Sequence, residues 1–334
     1  MDAHAQQPEH PPTPEPIPEP APEPVPWAVL VVGEALVDVV RDAAGAEHER
    51  AGGSAANVAV ALARLDRRSW LATAMADDRL GGILAAHLGR DGVRLAADPE
   101  TIARTSSAVA LLGEGGAATY EFDLEWRLGP VAVPEGAVGW VHTCSIAAVL
   151  PPGCESVLET VRSHRGEALV SYDLNARPAI TGTGADVIGR VEALVAEADV
   201  VKASDEDLAA LWPDLAEADA VRHLRDLGPA LVVVTRGAEG AECHASAGRV
   251  AVPAVTDLGV VDTIGAGDTL AAAFVSALWD LDVVGAGTRE RLAALGADEL
   301  RGALAYAVRA AALTVSRPGA DPPYLAEVGD RVRS

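Results

Sequence analysis

The sequence predicts an α/β fold built on a doubly wound, mostly parallel sheet, and three observations predict it. Short apolar runs of strand length recur along the chain, helical stretches lie between them, and glycine or polar residues fall where the runs end. The first run, Val29-Leu-Val-Val-Gly-Glu-Ala-Leu-Val37, has the pattern of a strand buried on both faces and broken by a glycine. Similar runs lie at residues 70–74, 139–143, 168–172, 199–202 and 231–235. Helical patterns fill residues 54–65, 81–89, 154–164, 185–198, 205–212 and 220–227. Ligands of such sheets bind at the carboxyl ends of strands. Gly33, Glu34, the 173–177 segment, Ser204 and the 235–237 segment stand there. Two segments break the alternation. Residues 36–41 continue as strand past the first run, and residues 103–122 alternate in β fashion around Gly113-Glu-Gly-Gly116, as a surface hairpin would.

With 334 residues the chain can hold one large α/β domain or two smaller ones. A net charge of −23 argues against nucleic acid or an anionic membrane surface as partner. Lys202 is the only lysine, arginine supplying the remaining positive charge. Cys144, Cys154 and Cys243 show no metal spacing and read as free thiols of a reducing cytoplasm. No apolar run near the N-terminus could span a bilayer or serve as a signal peptide. Residues 1–26 alternate proline with acidic and apolar residues and predict an extended, disordered tail. A partner-binding tail, a linker or an extension upstream of the true start are its other readings. The chain lacks the Gly-x-x-x-x-Gly-Lys-Ser/Thr loop, a zinc spacing, a Gly-x-Ser-x-Gly elbow and a dinucleotide fingerprint.

The chemistry concentrates in Val261-Asp262-Thr263-Ile264-Gly265-Ala266-Gly267-Asp268-Thr269, which feeds an apolar helical segment. Unpaired N–H groups of Gly265, Ala266 and Gly267 at a helix N-terminus would cradle an anion, phosphate above all. An acid beside that cradle repels the ligand unless it has a task, and removing the proton of an attacking hydroxyl is such a task for Asp268. A plain strand-to-helix turn is the alternative. A second glycine turn, Gly52-Gly53, opens an Ala-rich helix carrying Asn57 one turn in. Its backbone and side-chain amide suit a polyhydroxylated ligand, or a tightly packed loop.

Together these two loops resemble the PfkB/ribokinase family of carbohydrate kinases. The resemblance extends through Met75-Ala-Asp-Asp78 and Leu88-Gly-Arg-Asp-Gly92, which look like the third strand and its helix. It continues through Asp173-Leu-Asn175-Ala-Arg177, Thr235-Arg-Gly237-Ala-Glu-Gly240 and the closing Ser316-Arg-Pro-Gly319-Ala320. It covers residues 27 to about 324, and implies a ribokinase-like domain over 27–334 with helices on both sheet faces. Residues 36–51 and 103–125 would then form a small β-sheet lid over the sugar, through which a homodimer could also form.

The resemblance implies roles for particular residues. Asp268 would be the general base, with Gly265, Ala266 and Gly267 stabilising the transferred phosphoryl group. Asp38, Gly52, Gly53 and Asn57 would bind sugar hydroxyls, while Arg177 would reach phosphate, an anionic substrate group or only a surface partner. Ser204, Thr235, Gly237 and Gly240 would line the nucleotide channel. Mg²⁺ would ride on the ATP phosphates, held largely through water. The family's Asn-x-x-Glu element appears as Ser204-Asp-Glu-Asp207, one methylene short, so Asp207 or Glu206 would assist the metal. Asp262 and the Ile264 carbonyl match positions that bind a monovalent cation, K⁺, in some relatives. The implied activity is ATP-dependent phosphorylation of a sugar, most like the fructokinases, with a cytoplasmic location. 2-Keto-3-deoxygluconate, using Arg104 or Arg177, is the enzyme alternative. A sugar- or nucleotide-binding regulator without turnover is the other.

Overall fold

The computed structural model describes residues 27–41, 47–112, 118–134 and 136–329. The tail at 1–26 and the turn at 113–116 lie outside the described residues. Thirteen strands are described: β1 (Ala28–Val32), β2 (Leu36–Arg41), β3 (Glu47–Gly52), β4 (Ser69–Ala72), β5 (Arg94–Leu95), β6 (Ser107–Leu112), β7 (Ala118–Asp123), β8 (Val138–Cys144), β9 (Leu169–Asp173), β10 (Val200–Ser204), β11 (Leu231–Thr235), β12 (Ala241–Ala245) and β13 (Gly248–Val252). The helices are α1 (Ser54–Arg64), α2 (Arg79–Arg90), α3 (Gly153–His164), α4 (Pro178–Thr181), α5 (Ala185–Val195), α6 (Asp205–Leu211), α7 (Glu217–Asp226), α8 (Ala266–Asp280), α9 (Arg289–Ala293), α10 (Ala297–Val315) and α11 (Leu325–Val328).

Nine strands form one sheet in the order β13-β12-β11-β10-β9-β8-β1-β4-β5. Pairing is parallel from β5 to β11, and the hairpin β12–β13 adds an antiparallel edge. Side chains of a strand point alternately to opposite faces, and β1 shows what this does. Val29 and Val31 join one hydrophobic core with α1, α8 and α10, whereas Ala28, Leu30 and Val32 join a second core with α3, α5 and α7. Both faces are therefore covered, which is why the central strands are apolar throughout. Helix α8 is buried continuously from Asp268 to Leu278, since it lies between α1 and α10 as well as over the sheet.

One segment differs from expectation. Met75–Asp78 looks like strand in sequence, yet β4 ends at Ala72 and residues 75–78 form a loop. Asp78 is committed elsewhere: its carboxylate accepts from Gly81 N (2.8 Å), capping α2, and from Thr105 N (2.9 Å).

The second sheet has four strands in the order β3-β2-β6-β7. Its register aligns Asp38 with Ala108 and Ala108 with Phe122, placing these three side by side on one face. Val37 and Val39, on the other parity, are buried in the core. Strand period alone thus turns Leu36 and Asp38 toward the space above the large sheet.

Candidate active site

The large sheet reverses its winding between β1 and β8, with β4 and β5 added on one side and β9 to β11 on the other. A crevice opens at the carboxyl ends of strands at such a switch point. There a cavity of ≈ 620 Å³ is bounded by Glu34 beyond β1, by Ser145 and Ile146 beyond β8, and by Asn175 and Arg177 beyond β9. Gly53, Ser54 and Asn57 of the α1 turn face Gly265, Gly267 and Asp268 of the α8 turn across it. Leu36, Asp38, Ala108 and Phe122 of the small sheet close one side.

Asp268 sits at the N-terminus of α8, buried and ringed by donors. Ser54 Oγ donates to its Oδ1 (2.7 Å), and Asn175 Nδ2 approaches the same oxygen at 3.3 Å. Asn57 Nδ2 donates to Oδ2 (2.8 Å). Asn175 also donates to Ser54 Oγ (2.9 Å) from a left-handed backbone with φ 37°. Asn57 Oδ1 is buried without a partner among the described residues and belongs to a residue lining the cavity. An incoming hydroxyl would satisfy it.

Glycine geometry builds both turns. Gly265 has φ 76°, and a Cβ there would lie 2.6 Å from Ala320 Cβ. Gly53 has φ 95°, and its Cβ would meet Glu34 O at 2.7 Å. A Cβ on Gly52 would strike the Asp38 carboxylate at 2.4 Å, so the bare backbone there makes room for Asp38. The phosphate cradle differs from expectation at one point. The turn closes on itself and Ala266 N donates to Thr263 O at 3.3 Å, leaving the Gly267 N–H among those without an intrahelical acceptor. The cradle is an N-terminus of a 15-residue helix with a glycine-lined approach, and the donor set fits a phosphoryl group.

Beneath Gly267 lies Lys202, its Nζ 3.3 Å from where a Cβ on that glycine would stand. The ammonium is buried and bonded to both oxygens of Asp173, at 2.9 and 2.8 Å. Burial pushes the Asp173 carboxyl up to about 6, against the pull of Lys202. Burial also acts to lower Lys202, but the facing carboxylate more than offsets it and holds the ammonium above its usual value. Burial likewise pushes Glu34 up to about 7 and Asp38 up to about 6. The side of the cavity bounded by Glu34 and Asp38 therefore carries two carboxyls that resist ionisation.

Of the remaining expected residues, Arg177 and Ile264 line the cavity and the others stand apart from it. Asp207 Oδ2 accepts from Ser204 N and Oδ1 from Ala176 N, both at 2.8 Å, while Ser204 Oγ accepts from Asp207 N. This capping box ties α6 to the loop after β9, and a metal at Asp207 would have to compete with both backbone donors. Glu206 is exposed. Among the described residues no group of three His, Cys, Asp or Glu side chains is placed to hold a metal ion. Asp262 accepts from Ile264 N (3.0 Å) and Gly319 N (2.8 Å), lashing the turn before α8 to the closing loop. Thr235, Gly237 and Gly240 form the tight turn between β11 and β12, where a Cβ at 240 would stand 2.1 Å from Val252 O. Arg177 lines the cavity and donates to the Asn175 and Ala176 carbonyls. Arg104 instead pairs with Asp123, both exposed, and Trp126 is buried on the Ala147 carbonyl. Ser54 and Lys202 belong to the site but were given no role from sequence, whereas Glu34 and Asn175 were placed only at the ligand-binding ends of strands. The spacing of Ser54 and Asn57, three apart on one helix, was the available signal for Ser54.

Comparison with known proteins decides the lineage. Residues 28–326 match the profile described as pfkB family carbohydrate kinase. The chain belongs to this family of kinases. The kinase is 30% identical over 265 residues to a fructokinase of Vibrio alginolyticus, covering 75% of this chain and 83% of the relative. Identity is 33% over 263 residues to a fructokinase of Rhizobium leguminosarum, covering 75% and 79%. An ATP-dependent ribose-1-phosphate kinase of Halopiger xanaduensis (32% identical; 82% and 83% covered) and an aminoimidazole riboside kinase of Salmonella typhimurium (30%; 75% and 79%) are also similar. Among solved structures, the fructokinase of Xylella fastidiosa with bound ATP superposes with TM-score 0.78 at 27% identity, covering 90% and 96% of the two chains. The fructokinase of Vibrio cholerae, solved with fructose, ADP and calcium, gives 0.71 at 28%, covering 88% and 94%. A related structure of it contains potassium (TM-score 0.70 at 28% identity, covering 88% and 94%). The kinase thus has the ribokinase-like fold and is an ATP-dependent carbohydrate kinase. No described helix is long and apolar enough to cross a membrane.

Proposed function

We propose that this kinase phosphorylates fructose or a closely related ketose. The observation that carries the proposal is the cavity itself: an acid at a helix N-terminus faces unsatisfied and acceptor groups spaced for a polyol. The fructokinases of Vibrio alginolyticus and Rhizobium leguminosarum among its relatives support the same choice. Asp38, Asn57 and the Gly52–Gly53 backbone hold the sugar hydroxyls. Asp268 takes the proton of the attacking hydroxyl, an effect of about 10²–10⁴-fold. The sugar oxygen bonds to the γ-phosphorus, and the bond from that phosphorus to the bridging oxygen breaks, its electron pair leaving on ADP. The 265–267 turn, backed by Lys202, stabilises the charge on the transferring group. Mg²⁺ bound with the nucleotide would neutralise phosphate charge, with Asp207 and Glu206 as candidate supports and Ser204, Thr235, Gly237 and Gly240 on the nucleotide side. Asp262 and Ile264 are the candidate K⁺ positions.

The test is Mg-ATP-dependent ADP release with fructose, tagatose, ribose, 2-keto-3-deoxygluconate and adenosine. We expect turnover on fructose or tagatose, falling about a hundredfold or more in Asp268→Asn. Equal rates in both proteins would remove Asp268 from the base role. Arg177 at the cavity wall favours the second reading, an anionic sugar acid, and preference for 2-keto-3-deoxygluconate would establish it. Binding of ATP and sugar without ADP release would point to a regulator.

A further inference from the structure

The donors around Asp268 distinguish its two oxygens. A carboxylate oxygen has two lone-pair sites. Those of Oδ1 are both taken, by Ser54 Oγ at 2.7 Å and Asn175 Nδ2 at 3.3 Å. Oδ2 accepts only Asn57 Nδ2 (2.8 Å) among the described residues and keeps one site open. Ser54 is itself held: its Oγ accepts from Asn175 Nδ2 at 2.9 Å, so its own proton is directed at Asp268, and its backbone N–H donates to Glu34 Oε1 at 3.3 Å.

We propose that Ser54 is a positioning residue that anchors Asp268 through Oδ1 and so makes Oδ2 the atom that receives the substrate proton. The proposal rests on the reading of Asp268 as general base. Ser54 needs no contact with the reacting atoms. Its hydroxyl stops the carboxylate from rotating, a function that neither Asn57, on the opposite oxygen, nor the longer Asn175 bond replaces. Orientation of this kind acts on the chemical step rather than on sugar affinity. The titratable groups facing Asp268 are Glu34 beyond β1, Cys144 at the end of β8, Asp173 of β9 and Lys202 of β10. Of these only Cys144 also bonds the Ser54 hydroxyl, and burial holds its thiol well above the usual range, so a shift of the acidic limb reports on the bond lost from Asp268.

The experiment compares wild type, Ser54→Ala and Asp268→Asn on the best sugar of the panel, measuring kcat and KM across pH 5 to 9. A thermal melt of each variant verifies folding. For Ser54→Ala we expect kcat to fall about tenfold, KM for the sugar to stay within about twofold, and the acidic limb of kcat to move to higher pH. An unchanged kcat and acidic limb would overturn the proposal. So would a rise in KM alone, or a kcat loss with the limb unmoved, which would mark a packing defect. Asp268→Asn separates the two levels: full activity there overturns the base assignment, whereas inactivity there with a wild-type-like Ser54→Ala overturns only the role of Ser54.

Discussion

Glu34 shows how one residue couples the site to stability. Its carboxyl is buried at the end of β1, with Ser54 N and Ala147 N each 3.3 Å from an oxygen. Burial raises it from 4.5 to about 7. A raised carboxyl contributes stability that is fully present below the unfolded value and is lost as pH rises through the folded one. Between pH 4.5 and 8 the wild type should therefore lose on the order of 3 kcal/mol from this group. Glu34→Gln should escape that loss. We expect the variant to gain on wild type in denaturant unfolding as pH rises from 5 to 8, and parallel curves would refute the assignment. Residue identities such as Asp268 and Asn57 were legible in the sequence because glycine turns mark where backbone and side chain meet a ligand. The protonation of Glu34 was not, since it depends on chain segments more than a hundred residues away.

At the scale of elements, the turn before α8 depends on the closing loop. Gly265 is seated against Ala320 and Asp262 bonds Gly319, so the start of α8 is held from outside by the residues after α10. Gly265→Ala should push the two loops apart and force a β-carbon into a left-handed backbone. We expect a loss of about 1–3 kcal/mol in stability and a fall in kcat that exceeds what the stability change explains, read from activity and melting of the same preparation. Strands β1, β4 and β8 to β11 were legible as elements, because apolar runs of strand length between helical periods have few other solutions. Residues 75–78 were not, because a capping aspartate and a strand-end aspartate look alike until the partners at Gly81 and Thr105 are known. Register was equally hidden: the alignment of Asp38, Ala108 and Phe122 follows from pairing, which a single strand's pattern does not specify.

Across the whole molecule, two neighbouring central strands and the start of α8 meet at one buried ion pair. Asp173 of β9 and Lys202 of β10 bond beneath Gly267, joining the sheet interior to the phosphate cradle. Breaking such a pair by removing one partner leaves an uncompensated charge and costs about 3–5 kcal/mol. We expect Lys202→Met to show that loss in chemical denaturation, and Lys202→Met with Asp173→Leu to recover a large part of it. Equal losses in the single and double variants would show that the pair itself carries little. The overall architecture was the most legible level, since alternating strands and helices leave few topologies. The ion pair was the least, as an isolated lysine in an arginine-rich chain reads as composition.

The same lysine gives the molecule a built-in reporter. It is the chain's only side-chain amine, and the native fold seals it. An amine-directed acylating reagent at neutral pH should therefore tag the folded protein at its amino terminus alone. Any label appearing on Lys202 counts the moments when the floor of the phosphate cradle comes open, and bound ATP should slow its appearance.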